Sequence, residues 1–152
     1  MDKKYDIVIV SGGFDPMLDH HVDLLQGAKA QGHKVIAGLN SDKWLVNKKG
    51  KPFLNFKTRS RILSAVEYVD EVMSFNDDDG TAIDLLTRVQ RLYPECSIAF
   101  ANGGGDRGKG QVPEEGFCKA YNIELLWSVG GSHKKNSSSW ALQDWVDFKT
   151  GK

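Results

Sequence analysis

The sequence predicts a three-layer α/β fold around a five-stranded parallel sheet. Short apolar runs alternate along the chain with amphipathic segments of helical period, which is the pattern of connected βαβ units. The apolar runs are nearly continuous, as in strands that are covered on both faces. The 152 residues, 40% of them hydrophobic, are enough to bury a core, and we expect a single domain over residues 1–152.

The elements follow one another with little ambiguity. Runs rich in Val, Ile, Leu and Phe predict strands over residues 5–11, 34–40, 71–75, 97–102 and 123–129. Helical spacing of apolar residues predicts helices over residues 20–32, 58–68, 81–93 and 113–121, and a last helix that begins within residues 137–139 and runs through 140–148. The segment 41–56 is predicted to be a loop. We expect the four tryptophans to lie in the core; they are Trp44, Trp127, Trp140 and Trp145.

Composition and charge argue against several classes of function. Twenty Lys and Arg residues balance twenty Asp and Glu residues, so no overall charge favours binding to nucleic acid or to an anionic membrane. No apolar stretch approaches the roughly 20 residues that span a bilayer, and no cleavage-type segment follows the start MDKKYDIVIV. Cys96 and Cys118 are far apart and form no CxxC pair, which favours free thiols. We therefore expect a cytoplasmic protein without nucleic-acid or membrane partners.

The loops after the strands are the candidate ligand site, because ligands of open parallel sheets bind beyond the carboxyl ends of the strands. In the first of these loops, SGGFDPMLDHH, Gly12 and Gly13 let the backbone turn tightly ahead of a helix whose first N–H groups can bind an anion. A plain tight turn would need the same glycines with Asp15 and Pro16. The second loop carries four lysines in NSDKWLVNKKGKPF, a run that is either a solvated face or an anion site.

The later loops are rich in glycine and serine. In ANGGGDRGKG, Gly103, Gly108 and Lys109 fit the spacing of a P-loop, but Gly110 stands where Ser or Thr would be needed and the loop continues to Pro113, which disfavours that reading. A dinucleotide-binding GxGxxG is missing from the first loop as well. The loop VGGSHKKNSSSW ends in three serines whose hydroxyls can cap the last helix or bind phosphate.

Taken together, these elements resemble the nucleotidyltransferase superfamily of cytidylyltransferases and sugar-phosphate adenylyltransferases over residues 5–142. The motif GxFDxxHxGH is matched by Gly12, Phe14, Asp15 and His21. The segment FKTRSRILSAVEYVDEV resembles the family's helix that begins with an arginine and leads into a VDEV strand, with Arg59 in the arginine's place. ANGGGDRG is similar to an NGGDR element with one extra glycine, and the serines occupy the carboxyl-terminal phosphate motif.

The resemblance implies a Rossmann-like αβα fold with strand order 3-2-1-4-5 and a nucleotidyltransferase reaction. CTP, or else ATP, would donate a nucleotidyl group to a small phosphorylated or phosphonate acceptor with release of pyrophosphate, and with Mg²⁺ as charge partner. CTP is favoured, and a homodimer is expected.

The implied catalytic residues are His21, Lys48, Lys49 and Arg59, with Lys51 next. The implied nucleotide-binding residues are Gly12, Gly13, Phe14, Asp15, His21, Asn102, Gly103, Gly104, Asp106, Arg107, Ser137, Ser138 and Ser139. The implied acceptor-binding residues are Asp42, Lys48 and Arg59. Arg59 has an alternative role, an ion pair on the helix surface. His133 and Lys134 either add positive charge to the site or form a solvated loop tip.

Leu18 departs from the motif, because it stands where the family has its first histidine. Losing one preorganised donor costs roughly 100- to 1000-fold in rate. Helical spacing puts His20 about 200° away from position 18, so we expect His20 on the solvated start of the helix; a non-helical loop that brings His20 inward is the alternative. A catalytically impaired nucleotide-binding protein of the same fold is therefore the second hypothesis.

Overall fold

The computed structural model describes residues 3–103, 112–131 and 138–152. Its strands form one sheet in which every neighbouring pair is parallel. They are β1 (Tyr5–Gly12), β2 (Gly32–Leu39), β3 (Glu71–Ser74), β4 (Ile98–Gly103) and β5 (Glu124–Val129). The strand order is β3-β2-β1-β4-β5. The predicted α/β fold class and strand order are thereby confirmed.

Within the described residues, six helices connect and follow the strands. They are α1 (Asp19–Gln31), α2 (Asp42–Lys49), α3 (Phe56–Ser64), α4 (Ile83–Leu92), α5 (Glu115–Ala120) and α6 (Ser138–Thr150). The prediction of a loop over 41–56 was wrong, because α2 occupies half of it. Only Leu45 of α2 is buried, so the helix carries little apolar period. Its ends define it instead: the Ser41 hydroxyl accepts from the Trp44 N–H, and Gly50 closes the helix with φ 90°.

The core lies in two layers, one on each face of the sheet. Alternate side chains of β1 point to opposite faces, so Val8 and Val10 pack on one side and Ile7 and Ile9 on the other. On the first side they meet apolar residues of α1 and α3, and on the second they meet apolar residues of α4. This double coverage is the reason that the strands are apolar without alternation.

The register of the central strands brings the first two loops together. Gly12 at the end of β1 pairs with Leu39 at the end of β2, and the Asn40 N–H donates to the Gly12 carbonyl at 3.0 Å. The direction in which strands are added to the sheet then reverses, because β2 and β3 lie on one side of β1 and β4 lies on the other. This switch point between β1 and β4 is where an open parallel sheet leaves room for a ligand.

The last helix lies less deeply than expected. Trp140 and Trp145 are 52% and 60% exposed, so the prediction that they belong to the core was wrong, and Trp44 and Trp127 are half-buried. The spacing of Leu142, Trp145 and Val146 is helical, but α6 has no buried residue: Leu142 is half-buried, and Trp145 and Val146 are exposed. Within the described residues, no helix is both long and apolar enough to cross a membrane.

Gly27 sets how closely α1 approaches the end of β5. A methyl group there would lie 2.8 Å from the Gly130 backbone nitrogen. Alanine is the better helix former by roughly 1 kcal/mol, but overpacking against a fixed backbone typically costs about 1–3 kcal/mol. We therefore expect Gly27→Ala to lower the free energy of unfolding, measured in urea, although helix propensity alone would raise it.

The matched control is Gly116→Ala in α5, where a methyl group meets nothing within 4 Å. This variant should be neutral or more stable by up to roughly 1 kcal/mol. If both variants were stabilised alike, the close contact between α1 and β5 would be refuted.

Candidate active site

A cavity of about 540 Å³ opens at the carboxyl edge of the sheet. Its volume is within the usual range for a small-molecule site. It is bordered by the end of β1 and the start of α1, by α2, by the segments that precede α4 and α5, and by the start of α6. Many of the predicted site residues line it, namely Gly12, Gly13, Phe14, Asp15, His21, Lys48, Lys49, Ser138 and Ser139.

Other predicted residues lie elsewhere. Asp42 and Arg59 are not among the cavity-lining residues, and Lys51 is exposed. Asn102 and Gly103 end β4, which places their backbone at the same edge of the sheet. The remaining predicted positions lie outside the described residues; they are Gly104, Asp106, Arg107, His133, Lys134 and Ser137.

Asp15 fixes the first loop against the segment that follows α2. The residue is only 2% exposed. Its two carboxylate oxygens accept hydrogen bonds from the backbone N–H groups of Phe53 and Leu54, both at 2.7 Å. Lys49 Nζ donates to the Asp15 carbonyl at 2.8 Å and lies 3.4 Å from Oδ2. The buried charge is therefore neutralised and hydrogen-bonded, and Lys49 is held beside the cavity.

Arg59 is the most deeply buried charged residue of this region, at 1% exposure. Its guanidinium donates to the carbonyl oxygens of Leu54, Gly13 and Asn40 at 2.9, 3.0 and 2.8 Å, and to Asp42 Oδ1 at 2.7 Å. These acceptors belong to three segments of the chain, around residues 13, 40–42 and 54. In this position Arg59 and Asp42 hold the loops together rather than line the cavity, because the donors that would meet a phosphate are turned to the protein's own oxygens.

Asp77, which the sequence analysis missed, ties the loop after β2 to the loop after β3. Its carboxylate accepts from Asn40 Nδ2 at 3.0 Å and from the Ser41 N–H and hydroxyl at 2.8 and 2.7 Å. Burial by itself would raise the pKa of Asp77, but these hydrogen bonds outweigh it and hold the pKa below its usual value. In sequence the residue is one of three consecutive aspartates, so nothing marks it out.

His21 has a defined tautomer. Its Nδ1 accepts a hydrogen bond from the Leu18 N–H at 2.9 Å, so the ring proton lies on Nε2. Burial, then the neighbouring His20, Lys48 and Lys49, lower the pKa of His21 to about 3, against the opposite effect of Asp19. A neutral ring with one outward N–H donor is the form that this site presents at neutral pH.

His20 also lines the cavity, and the expectation that it lies on a solvated face was wrong. Helix α1 begins at Asp19, and Leu18 has extended backbone angles, so the helical spacing between positions 18 and 20 does not apply. The ring centroids of His20 and His21 are 3.9 Å apart. With Lys48 and Lys49 they form the cationic wall of the cavity.

The cavity also has an acidic lining residue, Glu114, which was missed as well. Glu114 is 7% exposed, lines the cavity together with Thr81 and Ala82, and accepts from the Ala82 N–H through Oε2 at 2.7 Å. The contact joins positions 32 residues apart, which leaves no local pattern in the sequence. The Ser138 hydroxyl donates to the Pro16 carbonyl at 2.8 Å and ties the start of α6 to the first loop.

Comparison with known proteins agrees with this architecture. The family model described as cytidylyltransferase-like matches residues 9–148. The bifunctional protein HldE of Pseudomonas putida (strain GB-1) is 34% identical over 143 residues, covering 91% of this chain and 27% of that protein. HldE of Nitrobacter winogradskyi is 38% identical over 122 residues, covering 79% and 23%. The chain thus spans about a quarter of the length of these curated relatives.

Solved structures share the fold at low sequence identity. A lipopolysaccharide core biosynthesis protein from Thermoplasma volcanium GSS1 superposes with a TM-score of 0.63 at 16% identity, covering 81% of this chain and 95% of that one. A bifunctional NMN adenylyltransferase/ADP ribose pyrophosphatase from Francisella tularensis gives a TM-score of 0.64 at 15% identity, covering 97% and 43%. The family resemblance deduced from the loops is confirmed by the family model, and the α/β architecture by these structures.

Removal of the Arg59 guanidinium should loosen the three segments that it joins. In Arg59→Met, the carbonyls of Leu54, Gly13 and Asn40 lose a donor; the bond to Asn40 is buried and the other two are partly buried. One unsatisfied buried acceptor costs roughly 1–3 kcal/mol, so we expect a loss of at least about 1 kcal/mol in the free energy of unfolding. Urea denaturation measures this loss. Arg61→Met is the control, since Arg61 is an exposed residue of the same helix. Equal stabilities of the two variants would contradict the positioning role.

The tautomer and low pKa of His21 predict a pH dependence of stability. In an unfolded chain a histidine titrates near pH 6.5, whereas folded His21 does so at about 3, so between these values only the unfolded chain takes up the proton. The contribution is present above about pH 6.5 and is lost as the pH falls toward 3. We expect His21→Gln to lose less stability than the wild type between about pH 7 and 5. His33→Gln, at an exposed histidine, is the control, and parallel curves for all three proteins would refute the low pKa.

Proposed function

This chain belongs to the cytidylyltransferase-like family, and we propose from that premise that it is a nucleotidyltransferase. It moves a nucleotidyl group from a nucleoside triphosphate to a small phosphorylated or phosphonate acceptor and releases pyrophosphate. The observation that carries the proposal is the cationic wall of the cavity. There His21, Lys48 and Lys49 lie together at the switch point of the sheet, in a chain whose net charge is zero.

The reaction needs positioning and neutralisation of charge more than proton transfer. An acceptor oxygen forms a bond to the α-phosphorus while the bond from that phosphorus to the bridging oxygen breaks, and pyrophosphate leaves with the electron pair. A phosphate or phosphonate acceptor is already an anion at neutral pH, so no general base is required. The His21 Nε2–H and the lysine ammonium groups oppose the negative charge on the phosphates.

The charges of the lining residues give the substrates a direction. A buried carboxylate repels phosphate but accepts hydrogen bonds from hydroxyl or amino groups. The phosphates therefore lie against the cationic wall, and a hydroxyl- or amino-bearing part of a substrate lies toward Glu114. We propose CTP as the donor and ATP as the alternative. The NGGDR-like segment, whose Asp106 and Arg107 would border ribose and phosphate, continues beyond the described residues.

Mg²⁺, a homodimer and a cytoplasmic location complete the proposal. Among the described residues, no group of three His, Cys, Asp or Glu side chains is arranged to hold a metal ion. Mg²⁺ is commonly bound through substrate phosphates with few protein ligands, so it would enter with the triphosphate and supply positive charge there.

A second candidate function is nucleotide binding without transfer. It is favoured by Leu18, which is absent from the cavity lining in a position where the family has a histidine. Such a protein would bind triphosphates in the same cavity and would release no pyrophosphate with any acceptor.

A pyrophosphate-release assay separates the two functions. The wild type and Leu18→His are incubated with Mg²⁺, each of the four nucleoside triphosphates, and pooled phosphorylated and phosphonate acceptors. We expect release with the wild type, and a roughly 100- to 1000-fold lower rate with His21→Gln, because one preorganised donor is lost.

Arg88→Gln, on the exposed surface of α4, serves as the control in the same assay. Release by Leu18→His alone would favour the impaired binding protein, and release by neither protein would refute the enzyme.

A further inference from the structure

Two adjacent imidazoles lie in the cationic wall, in the first turn of α1. The ring centroids of His20 and His21 are 3.9 Å apart, with an angle of 38° between the ring planes. Both residues line the cavity, and Lys48 and Lys49 line it beside them. Two lysines and two imidazoles at one wall of a cavity favour an anionic ligand, because the ammonium charges attract it and the rings can donate hydrogen bonds to it.

The start of α1 creates this arrangement. Leu18 precedes the helix in an extended conformation, with φ −124° and ψ 175°. Its carbonyl accepts from the His21 N–H at 3.0 Å, and its own N–H donates to His21 Nδ1 at 2.9 Å. The side chain of Leu18 does not line the cavity. The backbone of Leu18 thus orients the His21 ring. The other imidazole that lines the cavity is that of His20.

His21 alone offers a ligand a single hydrogen-bond donor. Because its Nδ1 is occupied by Leu18, only Nε2–H remains as a donor. Lys49 is shared with Asp15, whose carbonyl and carboxylate it contacts. A triphosphate presents many acceptor oxygens, so a second imidazole donor next to His21 adds a contact that the other residues leave open.

We propose that His20 is a catalytic residue of this site, whose ring donates a hydrogen bond to the phosphates of the bound triphosphate beside His21. The assignment rests on the proposed function and makes it more specific. It gives the role of the second imidazole to position 20, at which the motif has glycine, rather than to position 18. An active enzyme is then compatible with the leucine.

A purely structural role for His20 would have a different signature. The His20 backbone N–H donates to Asp19 Oδ1 at 3.0 Å, a bond that survives any change of the side chain. If the ring served only to pack against His21, its removal would change stability and leave phosphate binding to the folded protein intact. Binding and turnover of folded protein therefore distinguish the two roles.

The test compares His20→Ala and His20→Gln with the matched control His33→Ala, at an exposed histidine outside the cavity. Dissociation constants for CTP, ATP and inorganic tripolyphosphate are measured by calorimetry, kcat and KM by pyrophosphate release, and folding by urea denaturation. We expect His20→Ala to lower kcat/KM by roughly 100- to 1000-fold and to weaken tripolyphosphate binding. His20→Gln, whose amide can donate, should retain part of both, and His33→Ala should match the wild type.

The outcomes separate this assignment from the proposed function. If the wild type binds and turns over triphosphate while folded His20→Ala equals His33→Ala, the assignment is overturned and the proposed function stands. If the wild type binds no triphosphate, the proposed function fails, and the assignment fails with it. If His20→Ala does not fold, His20→Gln decides: reduced turnover at unchanged stability supports the contact, and full turnover overturns it.

Discussion

The buried guanidinium of Arg59 is the interaction on which the geometry of the cavity depends. It binds carbonyls at the end of β1, after β2 and before α3, and it pairs with Asp42 at the start of α2. A buried cation is tolerated only when its donors are satisfied and its charge is compensated, and both conditions hold here. The residue resembles a phosphate ligand in sequence, but in the structure its ligands are backbone oxygens of the loops themselves.

Asp15 complements Arg59 with the opposite charge. The carboxylate accepts hydrogen bonds from the N–H groups of Phe53 and Leu54, and the Arg59 guanidinium donates one to the Leu54 carbonyl. One short segment without regular structure is thus held from both sides, so its polar backbone groups are satisfied although it belongs to neither a helix nor a strand. Such contacts fix α2, and with it Lys48 and Lys49, before any ligand binds. Preorganised charge of this kind is what stabilises a developing anion without a cost of reorganisation.

The sequence predicts the sheet because the strands are marked by their composition, and it predicts which edge carries the site because parallel topology determines that edge. It does not predict α2, whose existence depends on the Ser41 and Gly50 caps more than on apolar spacing. The place of His20 depends on whether α1 begins at residue 18 or 19, a difference of one residue that sequence patterns do not resolve. Glu114 and Arg59 contact residues that are distant in sequence, and patterns in the sequence do not predict such contacts.

The zero net charge of the chain hides a local concentration of basic side chains, and the state of His21 limits the repulsion among them. If both imidazoles were charged, they would add two cations to a wall that already holds Lys48 and Lys49. Burial and the nearby lysines instead lower the pKa of His21 to about 3, so this ring contributes a donor without contributing charge. In the proposed reaction, a triphosphate would bring its negative charge to a ring that the Leu18 backbone already orients. A lining that combines ammonium groups with a neutral, oriented N–H donor is complementary to a polyanion, and this is the electrostatic requirement of the proposed nucleotidyl transfer.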